Sequence, residues 1–418
     1  MKGVHISFAS KRQRCTLLLV AMGISWLLYN ISSTRRGFGM TAWHFSLCKC
    51  RARRIQGLDD KSQVHLENTT DARSYTLTAT ESAQDEMIDT SLEGALPVAF
   101  EKALNELRVV PPSNVDVVLV IAYFRSGSSL VGELLSSGPR TFFHFEPLHI
   151  FTRADRIRRG RERHAFQLVD ELVRCRMQNV PLYTAWLERT QSYVHNTFLV
   201  KVCGTGESCT SPSHLAALCS RAETAVFKFT RLHMAQVATW IKRNTGIAHN
   251  VRVVHVVRDP RGIYASRRAL DWCANNEECG SPEVLCSHMR QDIEDFRKLT
   301  AKLSSSRTVT VRFEDLVGDP YKEAKRLYSH LGLKYGHSVA LYLQKHTVAT
   351  KADMQNPYST RRNASTVIDS WKGNLSAKII GKIESVCGDV MRKLGYEPLQ
   401  SGVTSGTQDL TEQATLPK

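Results

Sequence analysis

Long hydrophobic runs are nearly absent from this chain of 418 residues. One uncharged stretch near the amino terminus stands alone, which excludes a multi-span membrane protein. Only 13 prolines and 24 glycines occur, too few for a collagen or a low-complexity chain. With 42% hydrophobic and 23% charged residues, the chain is not wholly disordered either. No CxxC pair occurs among the 11 cysteines and no histidine spacing completes a site, so no metal is expected. The pattern GxxxxGK[ST] is missing, which argues against an ATPase and its magnesium apparatus. A DxD motif is missing too, against most metal-dependent nucleotide-sugar glycosyltransferases. No segment repeats at a fixed period. Acidic residues are absent from positions 1–54, which carry ten basic ones.

What is present divides the chain by charge. Residues 55–115 carry four basic and eleven acidic residues, while 116–418 hold a net +13 of the overall +16. A basic body of this size suits anionic ligands, although a solvated surface would give the same count. Cys15–Ile31 is the uncharged run and reads as a single transmembrane signal-anchor, short enough for thin early-secretory membranes. A cleaved signal peptide is the alternative, disfavoured by the bulk of Trp26, Leu27, Leu28 and Tyr29 where small residues are needed. Basic residues flank the run on both sides, so the positive-inside count does not orient it. Cysteines and sequons do. Eight cysteines lie in the basic body, and Asn68, Asn363 and Asn374 each open a glycosylation sequon. The expected topology is a cytosolic tail over 1–14, the anchor over 15–31, a luminal stem over 32–115 and a luminal body over 116–400. A flexible tail follows over 401–418. This is a type II arrangement in a secretory membrane, with the body in an oxidising lumen. The stem is acidic and rich in Ser and Thr, with a short helix expected over Pro97–Val109 before Pro111 and Pro112 break the chain.

The body reads as α/β. Asp116–Ala122 is a continuous apolar, β-branched run, as a strand buried on both faces should be. Further strands are expected over Thr141–Phe145, Ala225–Phe229, Val251–Val257 and Arg307–Phe313, with helical patterns between them. Alternation of this kind implies a parallel sheet covered by helices on both faces, with ligands at the carboxyl ends of its strands.

Two unusual loops fall at such ends. The first is Phe124-Arg125-Ser126-Gly127-Ser128-Ser129, followed by Leu130. Gly127 permits a tight turn, the amides opening the next helix favour an anion, and Ser126, Ser128 and Ser129 offer hydroxyls. Arg125 adds a fixed charge. The second is Arg258-Asp259-Pro260-Arg261-Gly262-Ile263-Tyr264-Ala265-Ser266. Arg258 closes a buried strand, and Ser266 lies one helical turn further, placed to share an anion with it. Either loop alone reads equally as an ordinary turn. Two anion sites side by side point to a nucleotide with phosphates at both ends.

Taken together, the motifs FRSGSSL, FEPLH, VVRDPRGIYASR, VRFEDL, YSTRRNASTVIDSW and LGY follow one another from Phe124 to Tyr396. In that order they resemble the membrane-bound carbohydrate sulfotransferases, specifically the galactose/N-acetylglucosamine/N-acetylgalactosamine 6-O-sulfotransferases. The resemblance implies a parallel-sheet, P-loop-like sulfotransferase domain. It implies 3′-phosphoadenosine 5′-phosphosulfate (PAPS) as donor, with Phe124–Leu130 on the 5′-phosphosulfate and Arg258–Ser266 on the 3′-phosphate. The expected acceptor is a glycan or glycosaminoglycan; nucleic acid is not an expected partner, and the oligomeric state is left open. Transfer needs charge stabilisation, from Arg125 and the loop amides, and a base for the sugar hydroxyl. Glu146, beside Phe145 and Pro147, is the candidate base, with a pKa expected to be raised by its apolar neighbours; the alternative is that it only orients an arginine or caps a helix. His144 and His149 are its rivals. His255 is expected in the core, and Glu314 and Asp315 in structural roles. Tyr358, Arg361, Arg362 and Trp371 sit in a late loop that, by the resemblance, closes over the nucleotide, and Arg267 and Arg268 extend the basic face. The competing functions are a non-catalytic glycan-binding membrane protein and a nucleotide-sugar glycosyltransferase.

Overall fold

Five β-branched runs pair into one parallel sheet in the computed structural model, which describes residues 98–204, 207–356, 358–361 and 367–399. The anchor, the cytosolic tail, the stem up to residue 97, Asn68, Asn363, Arg362 and the tail 401–418 lie outside the described residues. Among the described residues no helix is long and apolar enough to cross a membrane. The strands are β1 (Asp116–Ile121), β2 (Thr141–His144), β3 (Thr224–Phe229), β4 (Val251–Val257) and β5 (Thr308–Arg312). Their order is β2-β3-β1-β4-β5. All four pairings are parallel.

Pleating explains the two cores. Val117, Leu119 and Ile121 of β1 point to one face, where they join Phe227, Phe229 and the helices between Arg163 and Arg243. Val118 and Val120 point to the other, against Val131, Leu134 and Leu135 of the helix that follows the first loop. A strand buried on both faces must be apolar throughout, which is why the run showed no alternation. β1 and β4 are neighbours, yet the chain leaves β1 toward β2 and leaves β4 toward β5 on the opposite side. A crevice opens where the connections diverge, and both unusual loops sit there.

Five helices position the site and its surroundings: α1 (Val98–Glu106), α2 (Ser128–Ser136), α3 (Pro260–Arg268), α4 (Pro282–Leu303) and α5 (Ala377–Lys393). α1 corresponds to the helix expected to close the stem, but it packs on the body. Phe100 is fully buried in the first core, and Arg221 donates to the Leu104 carbonyl at 3.0 Å. α3, α4 and α5 form a third apolar cluster with Tyr123 and Val257.

The eight body cysteines pair as Cys175–Cys219, Cys203–Cys209, Cys273–Cys279 and Cys286–Cys387. The last joins α4 to α5 across 101 residues of sequence, whereas Cys203–Cys209 spans 6. Loop-closure entropy predicts an upper limit of about 4.7 kcal/mol for a loop of the longer kind and roughly 2 kcal/mol for the shorter. Replacing Cys286 and Cys387 with Ala should therefore lower the denaturant midpoint clearly more than replacing Cys203 and Cys209. Equal shifts would show that the long staple does not restrain the unfolded chain.

Candidate functional site

The first loop is braced from within. The Ser126 hydroxyl donates to the Tyr123 carbonyl at 2.9 Å and accepts from the Tyr123 amide at 3.2 Å. Ser126 is fully buried, so its hydroxyl shapes the turn and is not the ligand donor the sequence reading expected. Arg125 and Gly127 both take left-handed backbone conformations, with φ of 71° and 88°. Strain of this kind at a non-glycine residue costs of order 1–3 kcal/mol and persists only where neighbours enforce it. At Gly127 a Cβ would lie 2.3 Å from Cδ2 of Phe313, so only glycine fits. α2 then begins at Ser128 with no side-chain cap on its amides. Those amides converge on the loop mouth and favour an anion.

Arg125 is enforced by the second loop. The Arg258 guanidinium donates to the Arg125 carbonyl at 3.1 Å, and Arg125 Nε donates to Ser266 Oγ at 3.0 Å. Phe313 lies beneath both loops, its ring 4.4 Å from the Arg258 guanidinium carbon. Glu314 next to it accepts from the Asp259 amide at 3.0 Å and from the Tyr396 hydroxyl at 2.8 Å. The motifs VRFEDL and LGY thus hold the second loop in place. Gly262 leaves room for Arg258, since a Cβ there would sit 3.1 Å from its Nε.

The rest of the second loop is scaffold. Asp259 caps α3 by accepting from the Arg261 amide at 2.8 Å. Arg261 is buried against Asp259, Glu384 and the ring of Trp371. Pro260 and Ile263 are buried, and Tyr264 and Ala265 pack on the third cluster. Trp371 is therefore a core residue. Arg267, expected on the basic face, is also buried and holds the Phe124 carbonyl at 3.1 Å; Arg268 alone is exposed.

A charged clamp faces the first loop. Glu146 follows β2 with φ of 44°. Lys228 of β3 donates to Glu146 Oε1 at 2.7 Å and to Ser129 Oγ at 3.0 Å. Arg231 meets the other carboxylate oxygen, Oε2, and Thr230 donates to it at 3.3 Å. Burial alone would raise the Glu146 pKa, but Lys228 and Arg231 outweigh it and hold the carboxyl well below its usual range. The expected upward shift is thus reversed. Lys228 is pulled below the usual lysine value by burial, with Glu146 opposing the shift. The sequence reading missed Lys228 and Arg231. The available signal was a lysine inside the apolar run AVFKF, since a buried cation requires a partner.

The histidines separate cleanly. His144 stacks on Phe227 in the core, and burial depresses its pKa to about 3. His255 is bonded to the Tyr123 hydroxyl at 3.0 Å, a core role as expected. His149 is half-buried one turn after Glu146 and stacks on Trp186; burial and Arg231 keep its pKa below the usual value. Glu133 was also unforeseen. It sits on α2 one turn beyond Ser129, bonded to His195 at 2.8 Å and to Thr360 at 2.9 Å. Thr360 belongs to the late loop, whose Tyr358 ring lies 5.5 Å from the Arg125 guanidinium carbon. Asn374 is exposed. Among the described residues no group of three or more His, Cys, Asp or Glu could hold a metal ion. A separate cleft lined by Asp116, Gly138, Thr141 and Lys334 opens at the amino-terminal edge of the sheet and includes none of the site residues.

Residues 117–337 match the family model described as "Sulfotransferase family", more than half of the chain. The chain belongs to the sulfotransferase family. This sulfotransferase is 26% identical to carbohydrate sulfotransferase 3 of Mus musculus over 334 residues, covering 67% of this chain and 68% of that one. It is 25% identical to carbohydrate sulfotransferase 2 of Homo sapiens, covering 68% and 66% of the two chains. Among solved structures, the sulfotransferase domain from the Synechococcus PCC 7002 olefin synthase aligns with a TM-score of 0.40 at 15% identity. That alignment covers 70% of this chain and 99% of that chain.

Proposed function

We propose that this sulfotransferase moves sulfate from PAPS to the 6-hydroxyl of a hexose or hexosamine in a glycan or glycosaminoglycan chain. The sugar is galactose, N-acetylglucosamine or N-acetylgalactosamine. The reaction takes place in the Golgi lumen, with the protein held by one amino-terminal helix. The observation that carries this reading is the clip at Arg125. Arg258 and Ser266 hold it from the second loop, so two cationic loops on neighbouring strands make one site. A nucleotide with anionic groups at both ends fits such a site. The similarity to carbohydrate sulfotransferases supports the acceptor class.

In this reading Arg125, Ser128, Ser129, Lys228 and the α2 amides receive the 5′-phosphosulfate, and Arg258 and Ser266 receive the 3′-phosphate. The bond from sulfur to the bridging phosphate oxygen breaks as the sugar oxygen bonds to sulfur in line. Lys228 and the α2 amides hold the charge that develops on the leaving phosphate. The sugar hydroxyl gives its proton to Glu146. In the free protein Glu146 is too weak a base because Lys228 and Arg231 face it. A donor that shares those cations lifts its pKa toward the working range. His149, neutral and one turn away, is the next candidate for that proton.

The test supplies sulfur-labelled PAPS with chondroitin, desulfated keratan and N-acetylglucosamine-terminated oligosaccharides, without added metal. Label at a sugar C6 is the expected result. No transfer together with no nucleotide binding would overturn the reading.

A further inference from the structure

The segment after the Glu146 turn carries an unusual density of one charge. Residues 151–164 hold six arginines and two acidic residues. Arg156 is not part of the surface: it is buried, and its guanidinium bonds Asp292 at 2.7 Å. Arg158, Arg159, Arg161 and Arg163 are all exposed. Neither acidic residue neutralises them. Asp155 accepts from Asn276 at 2.9 Å, and Glu162 accepts from Gln236 at 3.3 Å. Arg159 meets Asp295 at 3.5 Å with 59% of its side chain still exposed. For the guanidinium groups of Arg158, Arg161 and Arg163 no ionic or hydrogen-bonding partner exists among the described residues. Some exposed arginines elsewhere are paired, as Arg290 is with Asp389, Arg297 with Glu294 and Arg326 with Glu323, but none of the other unpaired ones stands in so dense a row.

This segment is not a loose basic tail. The Ile157 amide donates to the Arg231 carbonyl at 2.8 Å, and Gln236 donates to the Ile157 carbonyl at 2.9 Å. The Arg156 amide donates to Glu278 at 2.9 Å. Ala154, Arg156 and Ile157 are buried beneath it. The segment is also joined to the reaction centre. The Arg231 guanidinium that meets Glu146 donates to the carbonyls of Thr152 and Arg153, each at 2.8 Å. A row of like charges on a fixed backbone, with a carboxylate partner at Arg159 alone, is self-repulsive unless a polyanion comes to it. Because Arg231 holds both Glu146 and the start of this segment, a ligand lying on the row is led toward the clamp.

We infer that Arg158, Arg159, Arg161 and Arg163 form an acceptor-side exosite that binds an acidic polysaccharide several sugars away from the one modified. The inference rests on the glycan reading proposed above and narrows it: the acceptor is a polymer bearing carboxylates or sulfates, not a short neutral oligosaccharide. A bilayer seated on this row would lie against the same rim and obstruct it, so a polysaccharide fits better than a lipid surface.

The test compares the wild type with a variant carrying Arg158→Ala, Arg159→Ala, Arg161→Ala and Arg163→Ala. Direct binding is measured to chondroitin polymer and to its carboxyl-reduced, unsulfated form, over a range of salt. The variant is expected to bind chondroitin about tenfold more weakly or worse, with a flatter salt dependence. Wild-type binding to the reduced polymer should match the variant's. Affinity for 3′-phosphoadenosine 5′-phosphate, and turnover on a short neutral acceptor, should be the same in both proteins. Unchanged chondroitin binding in the variant overturns the exosite. So does loss of binding to phosphatidylserine vesicles alone, which assigns the row to a membrane. Wild type that binds no nucleotide and transfers no sulfate defeats the sulfotransfer reading instead. The chondroitin comparison still decides the exosite, because it needs no turnover.

Discussion

Glu146→Gln should lower turnover by about 10²- to 10⁴-fold, the usual contribution of a positioned general base. Affinity for 3′-phosphoadenosine 5′-phosphate should hold or rise. Gln keeps the shape and can still accept from Lys228 and Arg231, but it no longer competes with a phosphate for their charge. The same change exposes the clamp's role in stability. Glu146 is depressed below an unfolded carboxyl near ~4.3, so its contribution is fully present above that pH and lost as pH falls through the lower folded value. The variant should lack this acid-dependent part of the stability curve. It should also gain more in melting temperature from added nucleotide than the wild type does, because the anion replaces the missing carboxylate beside two buried cations. Wild-type turnover in the variant would remove Glu146 as the base and leave His149 to be tested.

Arg258→Ala should weaken nucleotide binding by roughly 2–4 kcal/mol, about 30- to 1,000-fold, as loss of a charged contact in a dry site does. Two losses combine in it. One is the charge at the 3′-phosphate position. The other is the hydrogen bond to the Arg125 carbonyl, which keeps that residue at φ 71°. Arg125→Ala should cost a similar amount. The double variant should lose clearly less than the sum, because Arg258 acts in part through Arg125. Additive losses in titration calorimetry would mean that the two loops bind independently and that the clip has no energetic role.

The parts of this site that local chemistry announces were legible in the sequence. β4 was read at Val251–Val257, the residues it occupies, because a strand buried on both faces has to be apolar and β-branched. Both loops were found because Gly127, Arg125 and Arg258 stand at strand ends where apolar runs stop. What escaped depends on partners far away in the chain. Lys228 sits 82 residues from Glu146, and no local pattern says that they meet. Without that contact the sign of the Glu146 shift came out reversed, since its near neighbours are apolar and its real ones are cationic. The Ser126 hydroxyl and the capped turn at Asp259 read either way from the sequence for a related reason. Serine and aspartate satisfy their own backbone as readily as they bind an anion. The tight space at Gly127 depends on Phe313, which follows β5 far along the chain.

The most direct test of the account is calorimetric titration of the wild-type protein with 3′-phosphoadenosine 5′-phosphate, adenosine 5′-phosphate and adenosine 3′-phosphate. If the two loops form one site, the doubly phosphorylated nucleotide binds at least about a hundredfold more tightly than either singly phosphorylated one, each end contributing a charged contact. Equal affinity for all three, or binding of none, would contradict it.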